Sequence, residues 1–250
     1  METNAALLAG RVILLTGATG GLGEVLALAF AGAGATVILH ARIVRKLEAL
    51  FDRIVESGGA EPAILPLDFE SAGPDAFTAA AAELEAQLGR LDAIVHCAAA
   101  LKRLAPIEHH SAEDWVAVLK VNLSAPALLT RAMLPLLRKA PQPTVVFTLD
   151  SRGHQPAAYW GSYAAAKAGL EALVRVLGDE WESTPSMAAV GVIPGPIATP
   201  MRRRTHPGDD PGSLLQPEAL APLYVRCLAE GGQAWNGRIV EAQDWLATGA

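Results

Sequence analysis

Six apolar runs punctuate the chain: RVILLT (11–16), ATVILH (35–40), PAILPL (62–67), LDAIVHC (91–97), PTVVFTL (143–149) and AAVGVI (188–193). Each is apolar nearly throughout instead of alternating. That pattern predicts strands covered on both faces, as in a parallel sheet. Between them, 21–32, 43–57, 74–88, 111–139 and 161–182 carry helical spacing. Strand–helix alternation predicts right-handed crossovers and a doubly wound α/β fold. The stretch 195–217, GPIATPMRRRTHPGDDPGSLLQP, interrupts the pattern. It is rich in proline, glycine and charge and too long for a connector, which predicts a lid. No repeat or linker divides residues 1–250, so one domain is expected.

Composition changes the picture only by exclusion. Hydrophobic residues are 51% and charged residues 18%, enough for a large core and too apolar for disorder. The net charge of −6, with no long basic run, argues against a nucleic-acid surface. The only cysteines, Cys97 and Cys227, do not make a disulfide framework. METNAALLAG has no basic n-region, and no apolar run approaches the roughly 20 residues that span a bilayer. The expected location is the cytoplasm and the expected partner a small molecule.

Chemistry enters with LLTGATGGLGEVLALAF, after the first run. Gly17, Gly21 and Gly23 lie at a strand-to-helix turn. Glycine lets the backbone turn tightly and approach a pyrophosphate, and the helix N-terminus faces its charge. A site selecting NAD usually has an acid near the end of the second strand. VILHAR has none, and Arg42 stands where a cation would hold a 2′-phosphate, so NADP(H) is expected over NAD(H). Asp68 ends the third run, where it would accept from an adenine amine or cap the next segment.

In GSYAAAKAGLEALVRVLGDEW, Tyr163 and Lys167 are four residues apart and share one helix face. An ammonium beside a phenol favours the phenolate, which suits a general acid–base near neutral pH.

Together these segments resemble the short-chain dehydrogenase/reductase family, in its form of about 250 residues. TGATGGLG matches TGxxxGxG, GRLDAIVHCAA lies where the family has LDxxVNNAG, and VLKVNLSAP carries the mid-helix Asn122. YAAAK is the family's YxxxK, and IPGPIATPM matches PGxxxT with Pro194, Gly195 and Thr199. The resemblance runs from about Gly10 to Ile239. It implies a Rossmann fold, a nicotinamide cofactor and carbonyl/alcohol hydride transfer. The cofactor positions it implies are Gly17, Thr19, Gly21, Leu22, Gly23, Arg42, Asp68, Phe69, Ala98, Ala99, Tyr163, Lys167, Pro194, Gly195, Ile197 and Thr199. By the same resemblance Tyr163 passes the proton, Lys167 lowers its pKa and holds the ribose, and Asn122 anchors a relay water. A homodimer or homotetramer is implied likewise. Asn122 also reads as a residue that satisfies a helix kink.

Two departures bear on turnover. The family's serine, thirteen residues before the tyrosine, is Asp150 here, with Ser151 next to it. Neighbouring strand residues face opposite ways, so Ser151 would substitute only if the backbone turned. An ionised Asp150 would raise the Tyr163 pKa and repel an alkoxide, a protonated one would donate to the substrate oxygen, and a third option pairs it with a substrate amine, Arg152 or Lys102. HCAA (96–99) replaces NNAG, so Ala99 puts a methyl near the nicotinamide site.

Other groups are weaker. His109 and His110 fit a solvated loop before a helix capped by Ser111. His154, Tyr159 and Trp160 are candidate pocket walls, and the arginines 202–204 lie in the lid. The leading expectation is an NADP(H)-dependent oxidoreductase acting on a carbonyl or alcohol. The competing ones are a dinucleotide binder with little or no turnover, and an isomerase or dehydratase on the same scaffold.

Overall fold

The computed structural model describes residues 7–184, 186–230 and 234–248. Seven parallel strands form one sheet in the order β3-β2-β1-β4-β5-β6-β7. They are β1 (Val12–Thr16), β2 (Thr36–Ala41), β3 (Ala63–Pro66), β4 (Ala93–His96), β5 (Thr144–Thr148), β6 (Ala188–Ile193) and β7 (Ile239–Glu241). This is the Rossmann arrangement expected from the sequence. Chain order reverses between β1 and β4, and ligands bind at such switch points, beyond the carboxyl ends of the strands.

The uniform apolarity of the strands follows from the two layers that cover them. Ile13 and Leu15 of β1 enter one core, with α1 (Gly21–Gly32), α2 (Val44–Glu56) and α8 (Ala221–Glu230). Leu14 points the other way, into a core with α3 (Pro74–Leu88), α5 (Ala125–Leu137) and α6 (Gly161–Glu180). Successive strand side chains alternate in direction, so both sets must be apolar.

The stretch read as one helix at 111–139 has three parts: α4 (Ala112–Leu119), a π-helical segment (Lys120–Ser124) and α5. Ser111 caps it as expected, its Oγ accepting from the Asp114 N–H at 3.0 Å. Pro126 accounts for the wider segment. It has no N–H to give the carbonyl four residues back, which belongs to Asn122, and its ring crowds that carbonyl. Against the sequence reading, Ala112–Leu137 is a helix of 26 residues with mean hydropathy 1.2, sufficient by length and composition to cross a bilayer. Its Ala125, Leu129, Met133 and Leu136 are buried in the core under the sheet, which explains the apolarity.

The stretch read as a lid is ordered by short elements: α7 (Pro200–Thr205) and 3₁₀ turns at Pro211–Ser213 and Pro217–Leu220. A bridge from Ile197 to Leu215 closes its base. The α8 helix that follows was not anticipated. Its Leu223, Tyr224, Cys227 and Leu228 are buried against the α1 layer. β7 pairs with β6, and α9 (Ala242–Thr248) follows it.

Candidate active site

The carboxyl ends of the strands open into a cleft of about 780 Å³. One end is the glycine turn. Gly17 has φ +69, and a Cβ there would lie 2.6 Å from the Ala98 Cα. A Cβ on Gly23 would lie 2.1 Å from the Gly17 carbonyl oxygen. Both glycines are therefore demanded by the turn itself, whatever occupies it. The Thr16 hydroxyl ends β1 and accepts from the N–H groups of Cys97 and Ala98, each at 3.1 Å. That clamps the end of β4 beside the start of α1. Thr19, Leu22, Ala98 and the exposed Ala99 line the cleft here.

His40 was not singled out in the sequence, yet it shapes this end. The register of β1 on β2 sets it opposite Thr16. Its Nδ1 accepts from the Gly17 N–H at 3.3 Å, and its ring stacks on Phe69 at 4.1 Å. Burial pulls its pKa down to about 4, so it is a neutral acceptor at neutral pH. Arg42 is exposed just past β2, with Lys46 one turn on, and both line the cleft. Among the described residues neither side chain has a hydrogen-bond or ion-pair partner. The Asp68 carboxylate accepts from the Glu70 N–H at 3.1 Å, so it does cap its own turn while lining the cleft. Pro194, Gly195, Ile197 and Thr199 also line the cleft, with Thr199 close against Gly21. Every position expected to touch the cofactor therefore lines one cleft.

Tyr163 and Lys167 lie mid-cleft, both buried, on the first turns of α6. The Lys167 ammonium is 5.7 Å from the Tyr163 ring centre and donates to the Thr148 carbonyl at 2.7 Å. The Tyr163 hydroxyl donates to Asp150 Oδ2 at 3.1 Å, while Asp150 Oδ1 accepts from the Arg152 N–H at 2.9 Å. The chain does turn after Asp150, into a 3₁₀ turn at Ser151–Gly153, but it is Asp150 that faces the phenol. Lys102 pairs with Glu70 instead, at 2.8 Å.

The electrostatics differ from the expectation that Lys167 makes Tyr163 acidic. Burial pushes the Tyr163 pKa well above its ordinary value, and the charge and hydrogen bond of Asp150 push the same way. Burial likewise pulls the Lys167 ammonium down, against the opposing pull of Asp150. A phenol deep in protein next to a carboxylate keeps its proton.

Asn122 joins this group only indirectly. Its Nδ2 donates to the Val118 and Ala100 carbonyls at 2.8 and 2.7 Å, and its Oδ1 accepts from the Ala100 N–H at 3.2 Å. The side chain thus ties the π segment to the loop after β4, the kink-satisfying role. Behind Thr148, its hydroxyl and that of Tyr224 lie 3.0 Å apart. Tyr224 comes from α8, and no local motif announces it.

The remaining candidates separate. Trp160 lines the cleft, 5.7 Å ring to ring from Tyr163. Tyr159 is exposed with φ 75. His154 approaches Glu171 and Glu241, at 3.4 and 3.7 Å, outside the cleft. His110 bonds the Ala105 carbonyl at 3.0 Å, and no metal-binding cluster occurs among the described residues. Of the arginines 202–204, Arg202 pairs with Asp209 at 2.5 Å and Arg204 donates to the Leu101 carbonyl at 2.6 Å, both beside the cleft, while Arg203 is exposed. His206, also unforeseen, stands 5.9 Å from Trp160.

Known proteins share this arrangement. The uncharacterized oxidoreductase YciK of Escherichia coli (strain K12) is 35% identical over 237 residues, covering 95% of this chain and 93% of that protein. The structure of a short chain dehydrogenase from Pseudomonas syringae superposes with a TM-score of 0.90 at 36% identity, covering 96% of this chain and 97% of that one. Another, from Escherichia coli CFT073 in complex with NADPH, gives 0.90 at 35% identity, covering 96% and 99%. The sequence pattern of the short chain dehydrogenase family itself matches residues 11–210. With the glycine turn, the Tyr163–Lys167 pair and the seven-stranded sheet in agreement, this chain belongs to the short chain dehydrogenase family.

Proposed function

We propose that the chain is an NADP(H)-dependent oxidoreductase that works chiefly as a carbonyl reductase, with Tyr163 as the proton donor. The observation that carries this is the placement of a buried, firmly protonated Tyr163 beside Lys167, in the same cleft as the glycine turn. The residues present fit a dinucleotide: a glycine turn lining the cleft, a helix N-terminus beside it, and two cations without partners among the described residues just past β2. When bound, a reduced nicotinamide supplies the hydride.

Tyr163 supplies the proton. Its hydroxyl rests on Asp150 and turns to a carbonyl oxygen that enters the cleft, which then takes the proton as charge develops on it. Lys167 stands near enough to stabilise the phenolate left behind, and the Thr148 carbonyl holds the ammonium in place. Asn122 acts one step removed, by fixing the Ala100 backbone and with it the wall formed by Ala98 and Ala99. A phenol that holds its proton is present almost wholly in the acid form that reduction uses and hardly at all in the base form that oxidation needs, so the proposed direction is reduction. The lid from 195 to 217 would cover the substrate once it is in place. Cys97 and Cys227 are both unpaired, in keeping with a cytoplasmic setting, and a homodimer or homotetramer is the proposed working form.

Arg42 and Lys46 favour NADPH over NADH, because a 2′-phosphate needs free cations at this point. The related structure that holds NADPH supports this choice. Replacing Arg42 with alanine is expected to weaken NADPH binding about tenfold and leave NADH binding unchanged. Titration of the purified protein with each cofactor checks it, and an undiminished preference removes Arg42 from the argument. The reading as a whole is tested by following NADPH absorbance with a panel of aldehydes, ketones and quinones. No oxidation of NADPH with any of them, by protein that binds it, would leave a binder without turnover.

A further inference from the structure

The reductase reading leaves the substrate open, and the wall of the cleft around Tyr163 narrows it. Four cations near the phenol are already engaged. Lys167 donates to Thr148, Lys102 pairs with Glu70, Arg202 pairs with Asp209, and Arg204 donates to the Leu101 carbonyl. Arg152 is different. Its guanidinium lies over the Trp160 ring, 5.1 Å from the centre, and among the described residues its nitrogens have no hydrogen-bond or ion-pair partner. A guanidinium stacked on an indole keeps its edge free, and that edge is a planar fork of N–H donors.

The position is built, not incidental. The Arg152 backbone N–H is held by Asp150, the residue that also holds the Tyr163 hydroxyl. Next to it, a Cβ on Gly153 would sit 3.0 Å from the Lys167 carbonyl carbon, so the turn is pressed against the catalytic helix. The indole that carries the guanidinium also approaches the rings of Tyr163, at 5.7 Å, and His206, at 5.9 Å. The cleft therefore offers an apolar aromatic platform beside the proton donor, with a guanidinium at its edge that has neither a hydrogen-bond nor an ion-pair partner among the described residues.

We infer that Arg152 binds a carboxylate carried by the substrate, so that the enzyme acts on oxo acids whose apolar body lies on Trp160. A carboxylate matches the fork bidentately. A phosphate monoester carries close to two negative charges, and among the described residues of this wall no second cation lacks both a hydrogen-bond and an ion-pair partner. The inference rests on the reductase reading for the word substrate, but the site itself is testable by binding alone.

The experiment is calorimetric titration of the protein, saturated with NADP, against benzoate, benzamide and phenyl phosphate. Benzoate is expected to bind at least about tenfold more tightly than its neutral isostere benzamide. In Arg152→Gln that ratio should fall to about one, with benzamide affinity and cofactor affinity unchanged, and Arg152→Lys should keep part of it. Arg202→Gln should leave the ratio as it is. Equal affinity for benzoate and benzamide in the native protein overturns the inference even if no variant folds. A preference that survives Arg152→Gln, or tighter binding of phenyl phosphate than of benzoate, overturns it too. Turnover of 4-carboxybenzaldehyde against its methyl ester, followed through NADPH, then tells the two readings apart. Benzoate selectivity without any turnover sinks the reductase and keeps the anion site, whereas turnover with no preference for the acid does the reverse.

Discussion

Tyr163→Phe is expected to lower kcat/KM for NADPH-dependent carbonyl reduction by about 10²–10⁴-fold, the range that a positioned proton donor contributes. The substitution is a clean one. The ring keeps its packing with Leu101, Val118 and Trp160, and only the hydroxyl is lost. Asp150 then loses the donor on Oδ2 but keeps the Arg152 N–H on Oδ1. That costs at most about 1–3 kcal/mol of stability, which a thermal melt would register without unfolding the protein. NADPH affinity should change little, because the glycine turn, Arg42 and Lys167 are untouched by the loss of one hydroxyl. Stopped-flow or steady-state rates with a reduced aldehyde set, beside an NADPH titration, separate the outcomes. Activity within about threefold of the native protein would mean that the proton comes from elsewhere, since a donor removed from the transition state must cost more.

How much of this was readable before the fold depends on whether the signal is local. The six strands were legible because a parallel sheet buries both faces, which makes each run apolar on its own account. The cleft residues were legible for a related reason. Gly17, Gly21 and Gly23 answer to a turn confined to a few residues, and Tyr163 and Lys167 to one helical face. α8 is legible too: Leu220, Leu223, Tyr224, Cys227 and Leu228 have the spacing of an amphipathic helix, but the proline-rich loop directly before them masks its start. The π segment was also written in the chain, since Pro126 could not serve the Asn122 carbonyl. What could not be read was tertiary. The sign of the Tyr163 shift depends on how deeply the phenol is buried and on which way Asp150 points, and neither is a property of YAAAK. The meeting of Arg152, Trp160 and His206 joins a turn, a helix start and the segment after α7. Sequence separation hid it, as it hid the Tyr224 hydroxyl behind Thr148.

On the proposed reading Asp150 sets the direction of the reaction, and its replacement should show this through pH. Tyr163 is raised first by burial, then by the Asp150 charge, then by the Asp150 hydrogen bond. A raised phenol is fully protonated below its ordinary value near 10 and stays so for some way above it. Reduction, which uses the acid form, should therefore hold a plateau through neutral pH and beyond that value. Oxidation, which needs the base form, should climb throughout the same range. Asp150→Asn removes the charge and can still accept from the phenol, so the oxidation limb should move toward neutral. Asp150→Ser removes the charge and the carboxylate acceptor together, so its limb should move further, and its hydroxyl can donate to the substrate oxygen. Alcohol oxidation at neutral pH is then expected to rise by about 10- to 100-fold in the serine variant, less than the full change in phenolate fraction because a weaker base also abstracts the proton more slowly. Burial is untouched in both, so neither limb should reach that of a phenol in water. Rate–pH profiles in both directions for the native protein and the two variants give the order directly. Three superimposable oxidation profiles would show that the carboxylate does not govern the phenol, and the proposed bias toward reduction would have to come from the cofactor equilibrium alone.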